Sequence, residues 1–186
     1  MKIILILLLL IVTNLKAREY GQTEITTEGG MEVYQKEKYY LLKKNVEIES
    51  DNFNLTAQKV KAYFEKDLYD IVDIYSQGNV VFQSNQGLRV LGNEVDHNVK
   101  KEIINVRGEG SFLQNKDFTM ISDGSININN LSGEFKLFGP NSKLTTDDII
   151  ITGEDIKGKY VNIDGENIID KLNVQDKTQV NIKTKT

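Results

Sequence analysis

A glycine or asparagine signal running directly into an apolar strand recurs along this chain, and it constrains the fold more than any other feature. It is clearest at Gly78-Asn79-Val80-Val81-Phe82-Gln83. Versions of it stand at Lys44-Asn45-Val46-Glu47-Ile48-Glu49, Gly108-Glu109-Gly110-Ser111-Phe112-Leu113, Gly139-Pro140-Asn141-Ser142-Lys143-Leu144 and, more faintly, Asp176 to Ile182. From Asn45 through Asn79, Gly110 and Asn141 to Thr178 the spacings are 34, 31, 31 and 37 residues. A loose period of this length marks one supersecondary unit copied and stacked, each copy burying an apolar face it could not bury alone.

The segments between anchors read as strands. Met31-Glu32-Val33-Tyr34 alternates apolar and polar residues, as a strand with one buried face does, and Val46 and Ile48 oppose Glu47 and Glu49 in the same way. Residues 57–70 also fit a helical spacing through Ala57, Val60, Phe64, Leu68 and Ile71. The β-branched and aromatic run Ile71-Val72-Asp73-Ile74-Tyr75, leading straight to Gly78, favours strands there. Later segments, among them Leu88 to Leu91, Ile103 to Val106, Phe118 to Ile121, Ile126 to Asn129, Glu134 to Phe138 and Tyr160 to Ile163, repeat the scheme. Asp96-His97-Asn98, Asp123-Gly124 and Asn129-Asn130 read as turns between them. Pro140 has no N–H for a ladder, so a turn or an edge is expected for it. Short strands with turn signals at this frequency predict an all-β stack.

Met1 to Ala17 stands apart. Lys2 is followed by an unbroken apolar run from Ile3 to Val12 and by a small residue at Ala17, the pattern of an export signal cleaved near that point. The run is short for a membrane span, which needs about 20 apolar residues. A retained anchor is the alternative. Cleavage leaves residues 18–186 as one domain and moves the formal charge from −4 to −6, because the segment holds two lysines and no acid. An acidic balance excludes a general nucleic-acid binder. With no cysteine, an exported chain must rely on its core rather than disulfides.

Catalytic chemistry has little to build on. The single histidine, His97, sits between Asp96 and Asn98 and reads as a solvated turn residue. The absence of cysteine and of a second histidine removes zinc sites and Cys-His pairs, and no Gly-x-Ser-x-Gly elbow presents a serine. Asp147-Asp148 and Glu154-Asp155 are adjacent carboxylates, and neighbours on a strand point to opposite faces. No enzyme and no cofactor are therefore expected. A parallel β-helix acting on polysaccharide through such carboxylates is a weaker rival.

What remains is the apolar face. Val46, Ile48, Leu55, Ala57, Val80, Phe82, Val90, Phe112, Met120, Ile126, Ile128, Phe135 and Leu137 should form rows along the stack. They line either an ordinary core or a groove left partly open between facing sheets.

Leu55-Thr56-Ala57-Gln58-Lys59-Val60 with Gly78-Asn79-Val80-Val81-Phe82, and Leu88 to Val95 with Gly110-Ser111-Phe112, form a repeated block that resembles the OstA-like family of lipopolysaccharide-transport proteins. Ile25-Thr26-Thr27-Glu28 to Val33 resembles that family's first strands, and the resemblance covers nearly all of Ile25 to Val161. Lys44 in place of glycine, the Gly139-Pro140-Asn141-Ser142 variant and the continuation to Thr186 depart from the pattern. The resemblance implies a folded-over, taco-like antiparallel β-jellyroll in the periplasm whose inner face receives acyl chains of lipopolysaccharide. It also implies head-to-tail association, and partners in an inner-membrane anchored protein of the same superfamily and an outer-membrane assembly protein. A chain retaining residues 1–15 as an anchor would be the membrane-tethered kind of relative.

Overall fold

The computed structural model describes residues 21–67 and 70–182, so the expected export signal lies outside the described residues. The described residues form strands and no helix. The strands are β1 (Glu24–Thr26), β2 (Met31–Tyr34), β3 (Tyr39–Glu49), β4 (Phe53–Phe64), β5 (Ile71–Ser84), β6 (Arg89–Asn98) and β7 (Ile103–Arg107). They continue as β8 (Ser111–Gln114), β9 (Phe118–Ser122), β10 (Ser125–Asn129), β11 (Glu134–Thr146), β12 (Ile149–Ile163), β13 (Glu166–Gln175) and β14 (Gln179–Ile182). All belong to one sheet, and every pairing is antiparallel. The expected all-β, folded-over antiparallel architecture is the observed one, and the parallel β-helix rival is overturned. Residues 57–64 and 71–84 are strand, as their β-branched and aromatic content favours.

The sheet doubles back on itself because its strands bend partway along. A front layer consists of β1, residues 46–49, 53–57, 80–84 and 89–92, β8, β9, residues 142–146 and 149–153, and β14. A back layer consists of β2, residues 39–43, 59–64, 71–77 and 93–98, β7, β10, residues 134–138 and 155–163, and β13. The two layers meet along a ridge of bulges and corners, where the ladder shifts register between Lys43 and Val46, Gln77 and Val80, and Phe138 and Ser142.

The recurring signal thus marks corners rather than turns between strands. Asn45, Asn79, Gly110 and Asn141 all hold positive φ, at 46°, 48°, 69° and 56°. The faint fifth copy bends at Asp176 and Lys177, just before the expected Thr178. Every chain segment crossing the ridge from back to front passes through left-handed backbone. Of the return crossings, those at Gln58, Asn93, Gly124 and Glu154 do not, whereas the first, from β1 to β2, includes Gly30 at φ 75°. One period therefore spans two crossings, which accounts for its length. Lys44 takes the position glycine holds elsewhere and adopts φ 62°, a conformation that asparagine and glycine reach at less cost. Gly78 could not be replaced so simply, since a Cβ there would lie 2.7 Å from Gln58 Cβ.

Side-chain bonds tie neighbouring corners together. Gln58 donates to Asn45 at 2.8 Å, Gly110 N–H donates to Asp123 at 2.9 Å, and Asn141 donates to the same carboxylate at 2.5 Å. Those two bonds hold the Asp123 carboxyl below its usual range. Ser76, Ser111, Ser122 and Ser142 are buried beside the ridge. Ser111 donates to the Gly108 carbonyl at 2.7 Å, Ser122 to the Phe138 carbonyl at 3.0 Å and Ser142 to the Gly139 carbonyl at 2.7 Å, so these three buried hydroxyls are paired.

Two expectations fail for one reason. Pro140 lies within central strand β11, and the bulge between Phe138 and Ser142 relieves it of a ladder bond. Asp96-His97-Asn98 is not a turn, because the corner at Gly92 and Asn93 lengthens β6 through Asn98.

Candidate functional site

Opposite the ridge the layers are not joined by strands. Their hairpin turns face each other across an open seam, and a cleft of about 1010 Å³ lies along it. Phe53, Phe82 and Leu88 of the front layer and Ile74, Ile104 and Tyr160 of the back layer give it apolar walls. The rims are polar, with Asn52, Asn85, Asn115 and Lys116 on one side and Glu102, Asn130, Lys159 and Asn162 on the other. Alternation explains the walls: in β5, Phe82 faces inward between outward Val81 and Gln83, and in β6 His97 faces inward beside Asp96.

Aromatic rings bridge the layers. Phe53 stacks on Phe82 at 5.4 Å within the front layer, and Phe82 meets the His97 ring of the back layer edge-on at 6.0 Å. Burial beside these apolar groups lowers the His97 pKa, against the opposing pull of Glu102 and Asp73. Farther along, Phe118 packs on Tyr160 at 5.4 Å, and Tyr160 donates its hydroxyl to Asn130 at 3.0 Å. Beyond that contact the seam is strapped. Asp117, in the turn between β8 and β9, binds Asn167 at the start of β13, and Lys116 reaches the Gly165 carbonyl.

Of the thirteen residues expected to line a groove, only Phe82 lines this cleft. Val46, Ile48, Leu55, Ala57, Val80, Val90, Met120, Ile126, Ile128, Phe135 and Leu137 are buried in the packed core nearer the ridge. There the two layers converge and their side chains fill the space between. Phe112 faces away from the core; Ser111 and Leu113 take the inward positions because the Gly108-Glu109-Gly110 corner sets the register of β8. It belongs to an outer cross-strand row with Leu91 and Ile121.

Sequence reasoning did not pick out Phe53, Ile74, Leu88, Ile104 or Tyr160 as site residues. Their signal was position: each lies close to a hairpin turn at the seam, far from a corner. His97, read as a solvated turn residue, lines the cleft instead.

The carboxylate neighbours do not form a constellation. Asp155 pairs with Lys157 at 2.8 Å and lies 3.9 Å from Lys136, while Glu154 pairs with Lys177. Asp147 is exposed in the turn after β11. Among the described residues no group of three or more His, Cys, Asp or Glu could hold a metal ion.

The two ends of the sheet are also open. Among the described residues β1 and β2 pair only with β3, and β13 and β14 only with β12. Exposed apolar side chains gather at these ends: Ile25, Met31 and Val33 at one, Ile163, Ile168, Val180 and Ile182 at the other.

No family model matches the chain, and no curated protein matches it. Among solved structures it is similar to LptH of Pseudomonas aeruginosa, described as the LptA-homologous periplasmic component of the conserved lipopolysaccharide transport device. The TM-score is 0.49 at 11% identity, over 58% of this chain and 76% of that one.

Proposed function

We propose that this chain is a non-enzymatic periplasmic carrier that shields the acyl chains of lipopolysaccharide in the seam cleft during transit from the inner to the outer membrane. The observation that carries the reading is the cleft itself: an apolar trough with polar rims, at the top of the roughly 300–1,000 Å³ range of ligand pockets. An acyl chain gains about 0.8 kcal/mol for each methylene it buries, so a lipid with several chains does not cross water unescorted. Aliphatic and aromatic walls supply that burial, and the polar rims leave sugars and phosphates in water.

The buried core beneath the cleft fits the same role if the layers part. They are covalently continuous only at the ridge. Across the seam they are held by ring contacts and by the strap at Asp117 and Asn167. A hydrocarbon tail entering at Phe82 would exchange protein–protein apolar contacts for protein–lipid ones, at little net cost in exposed surface.

The open sheet ends support a place between partners. Unpaired strands are templates for β-augmentation, and apolar side chains beside them favour it. In this reading residues 1–17 direct export and are removed near Ala17, leaving 18–186 as the working domain. One end then meets an inner-membrane anchored component and the other an outer-membrane component, directly or through further copies. The membrane-tethered alternative is decided by the N-terminus of the protein recovered from cells, since an intact Met1 to Leu15 would require it.

A photoreactive amino acid placed at Phe82 or Leu88 should capture lipopolysaccharide, whereas the same group at Glu47 or Asn127, on outer faces, should not. Equal labelling at the four positions would refute the cleft as the lipid site.

A further inference from the structure

Four of the chain's eight tyrosines gather in one patch on the outer face of the back layer, away from the cleft. Tyr34 of β2 stacks on Tyr39 of β3 at 4.4 Å, Tyr39 lies 5.5 Å from Tyr63 of β4, and Tyr63 meets Tyr75 of β5 at 5.7 Å. Lys61 sits over the Tyr39 ring at 3.9 Å and 4.7 Å from the centre of Tyr63. Tyr75 meets Tyr63 edge-on at 79° and still remains 42% exposed, so much of its ring is left to solvent.

Those two rings are walls of an open pocket of about 390 Å³ that Phe64 and Val72 also line and on which Lys38, Glu65, Asp73 and Lys100 place charged groups. The charged groups are held in place: Asn98 donates to Asp73 at 2.6 Å, Lys38 donates to the Glu65 carbonyl at 2.6 Å, and Lys100 pairs with Glu65. Each carboxylate still has lone pairs to offer, and each ammonium further N–H donors.

We propose that this tyrosine corner is a saccharide-binding site, taking a pyranose ring against Tyr63 and Tyr75 with its hydroxyls on Asp73, Glu65 and Lys100. A pyranose presents a face of polarised C–H groups, which the electron-rich face of a tyrosine attracts, and an edge of hydroxyls that both donate and accept. Carboxylates and ammonium groups of balanced charge suit that edge, whereas a purely apolar or a strongly ionic partner would leave half of them unmatched. A partly exposed aromatic platform with fixed polar groups beside it loses little entropy on binding.

The position adds a source for the sugar. Ile74 and Val99 line the cleft, while their neighbours Asp73, Tyr75 and Lys100 line the pocket, so one sheet thickness separates the two. A glycolipid whose tails enter the seam could fold its sugars over the rim onto the tyrosines. That source rests on the carrier reading; saccharide binding itself does not.

The chain has no tryptophan, so its emission comes from the eight tyrosines, four of them in the patch, and the Tyr75 variants assign a change in that emission to the patch rather than to Tyr160 in the cleft. Two probes distinguish the sources: the delipidated oligosaccharide released from lipopolysaccharide by mild acid, and chitotetraose as a free glycan. Saturable quenching by either probe, weakened about tenfold in Tyr75→Ala and retained in Tyr75→Phe, is the expected result, the loss being that of one stacked ring. Tighter binding of the first probe assigns the sugar to a glycolipid, and tighter binding of the second to a free glycan. No quenching by either probe in the millimolar range, or quenching that Tyr75→Ala leaves unchanged, overturns the proposal. Binding of N-phenylnaphthylamine to the same samples reports folding and the cleft separately. Retained dye binding without sugar binding removes this site and leaves the carrier reading intact, and the converse removes the carrier reading alone.

Discussion

The Asp117 carboxylate accepts a hydrogen bond from the Asn167 backbone N–H at 3.0 Å and a second from the Asn167 side-chain amide at 2.6 Å, joining the two layers across the seam. The residues are far apart in sequence, Asp117 in a turn of the front layer and Asn167 at the start of β13 in the back layer, so this pair closes the mouth of the fold where strands do not. Asp117→Ala should cost about 1–3 kcal/mol, the value of hydrogen bonds to a charged group. Urea denaturation measures the loss. Amide exchange should rise at Asn167 and stay unchanged at Leu144, which a general loosening of the fold would not produce.

Gly78 and Lys44 occupy equivalent corners with opposite freedom to change. Gly78 has φ 81° and no space for a Cβ beside Gln58, so Gly78→Ala should destabilise by about 1–3 kcal/mol. Lys44 already bears the strain of φ 62°, and Lys44→Gly should come within about 1 kcal/mol of neutral, because relief of strain offsets the greater freedom of glycine in the unfolded chain. Paired urea midpoints test both. Equal losses at the two corners would contradict the bulge geometry.

Neighbouring residues in β8 should differ sharply. Leu113 is 0% exposed, and Leu113→Ala should cost about 2–5 kcal/mol through lost burial and the cavity left behind. Phe112 packs only in its outer row with Leu91 and Ile121, and Phe112→Ala should cost about 1 kcal/mol, the scale of cross-strand pairs. Calorimetric melting of the two variants settles the register of this strand.

That contrast shows what was legible in the sequence. Alternation alone placed Val46, Ile48, Leu55 and Val80 inside, because no corner intervenes within those short runs. It misplaced Phe112, since the left-handed residues Gly108 and Gly110 restart the alternation and only their backbone geometry tells where. The period of the Gly and Asn signal was plain, but not its meaning. A positive-φ residue that ends a strand and one that bends it have the same side-chain signature. The open cleft was hidden for a different reason. Residues such as Phe53 and Tyr160 become neighbours only when two turns distant in sequence are brought face to face, and no local pattern records that.

His97 makes the cleft wall sensitive to acid. Burial favours its neutral form, so the folded pKa lies below the ordinary histidine value of about 6.5 and the unfolded chain takes up a proton first as pH falls. The fold therefore keeps its full stability from this group above about pH 6.5 and loses it progressively below. His97→Phe should remove that part of the decline while keeping the edge contact with Phe82. The check is the difference in urea midpoint between the two proteins, expected to be larger at about pH 5 than at about pH 8. A constant difference across that span would mean that His97 titrates as freely as in water.

The unpaired strands at the two ends of the sheet are unlike: β1 and β2 are short and precede the first full corner, whereas β13 is long and β14 follows the last. A junction that set one end against the other would be heterologous, and where the rotation between units does not close a ring it would give an open array with a leading and a trailing terminus. Reversing one unit would put like edge against like edge and lose the match. In the proposed carrier role, cargo would meet the same surfaces in the same order at each unit, and the net direction of its passage would come from supply at one terminus and removal at the other.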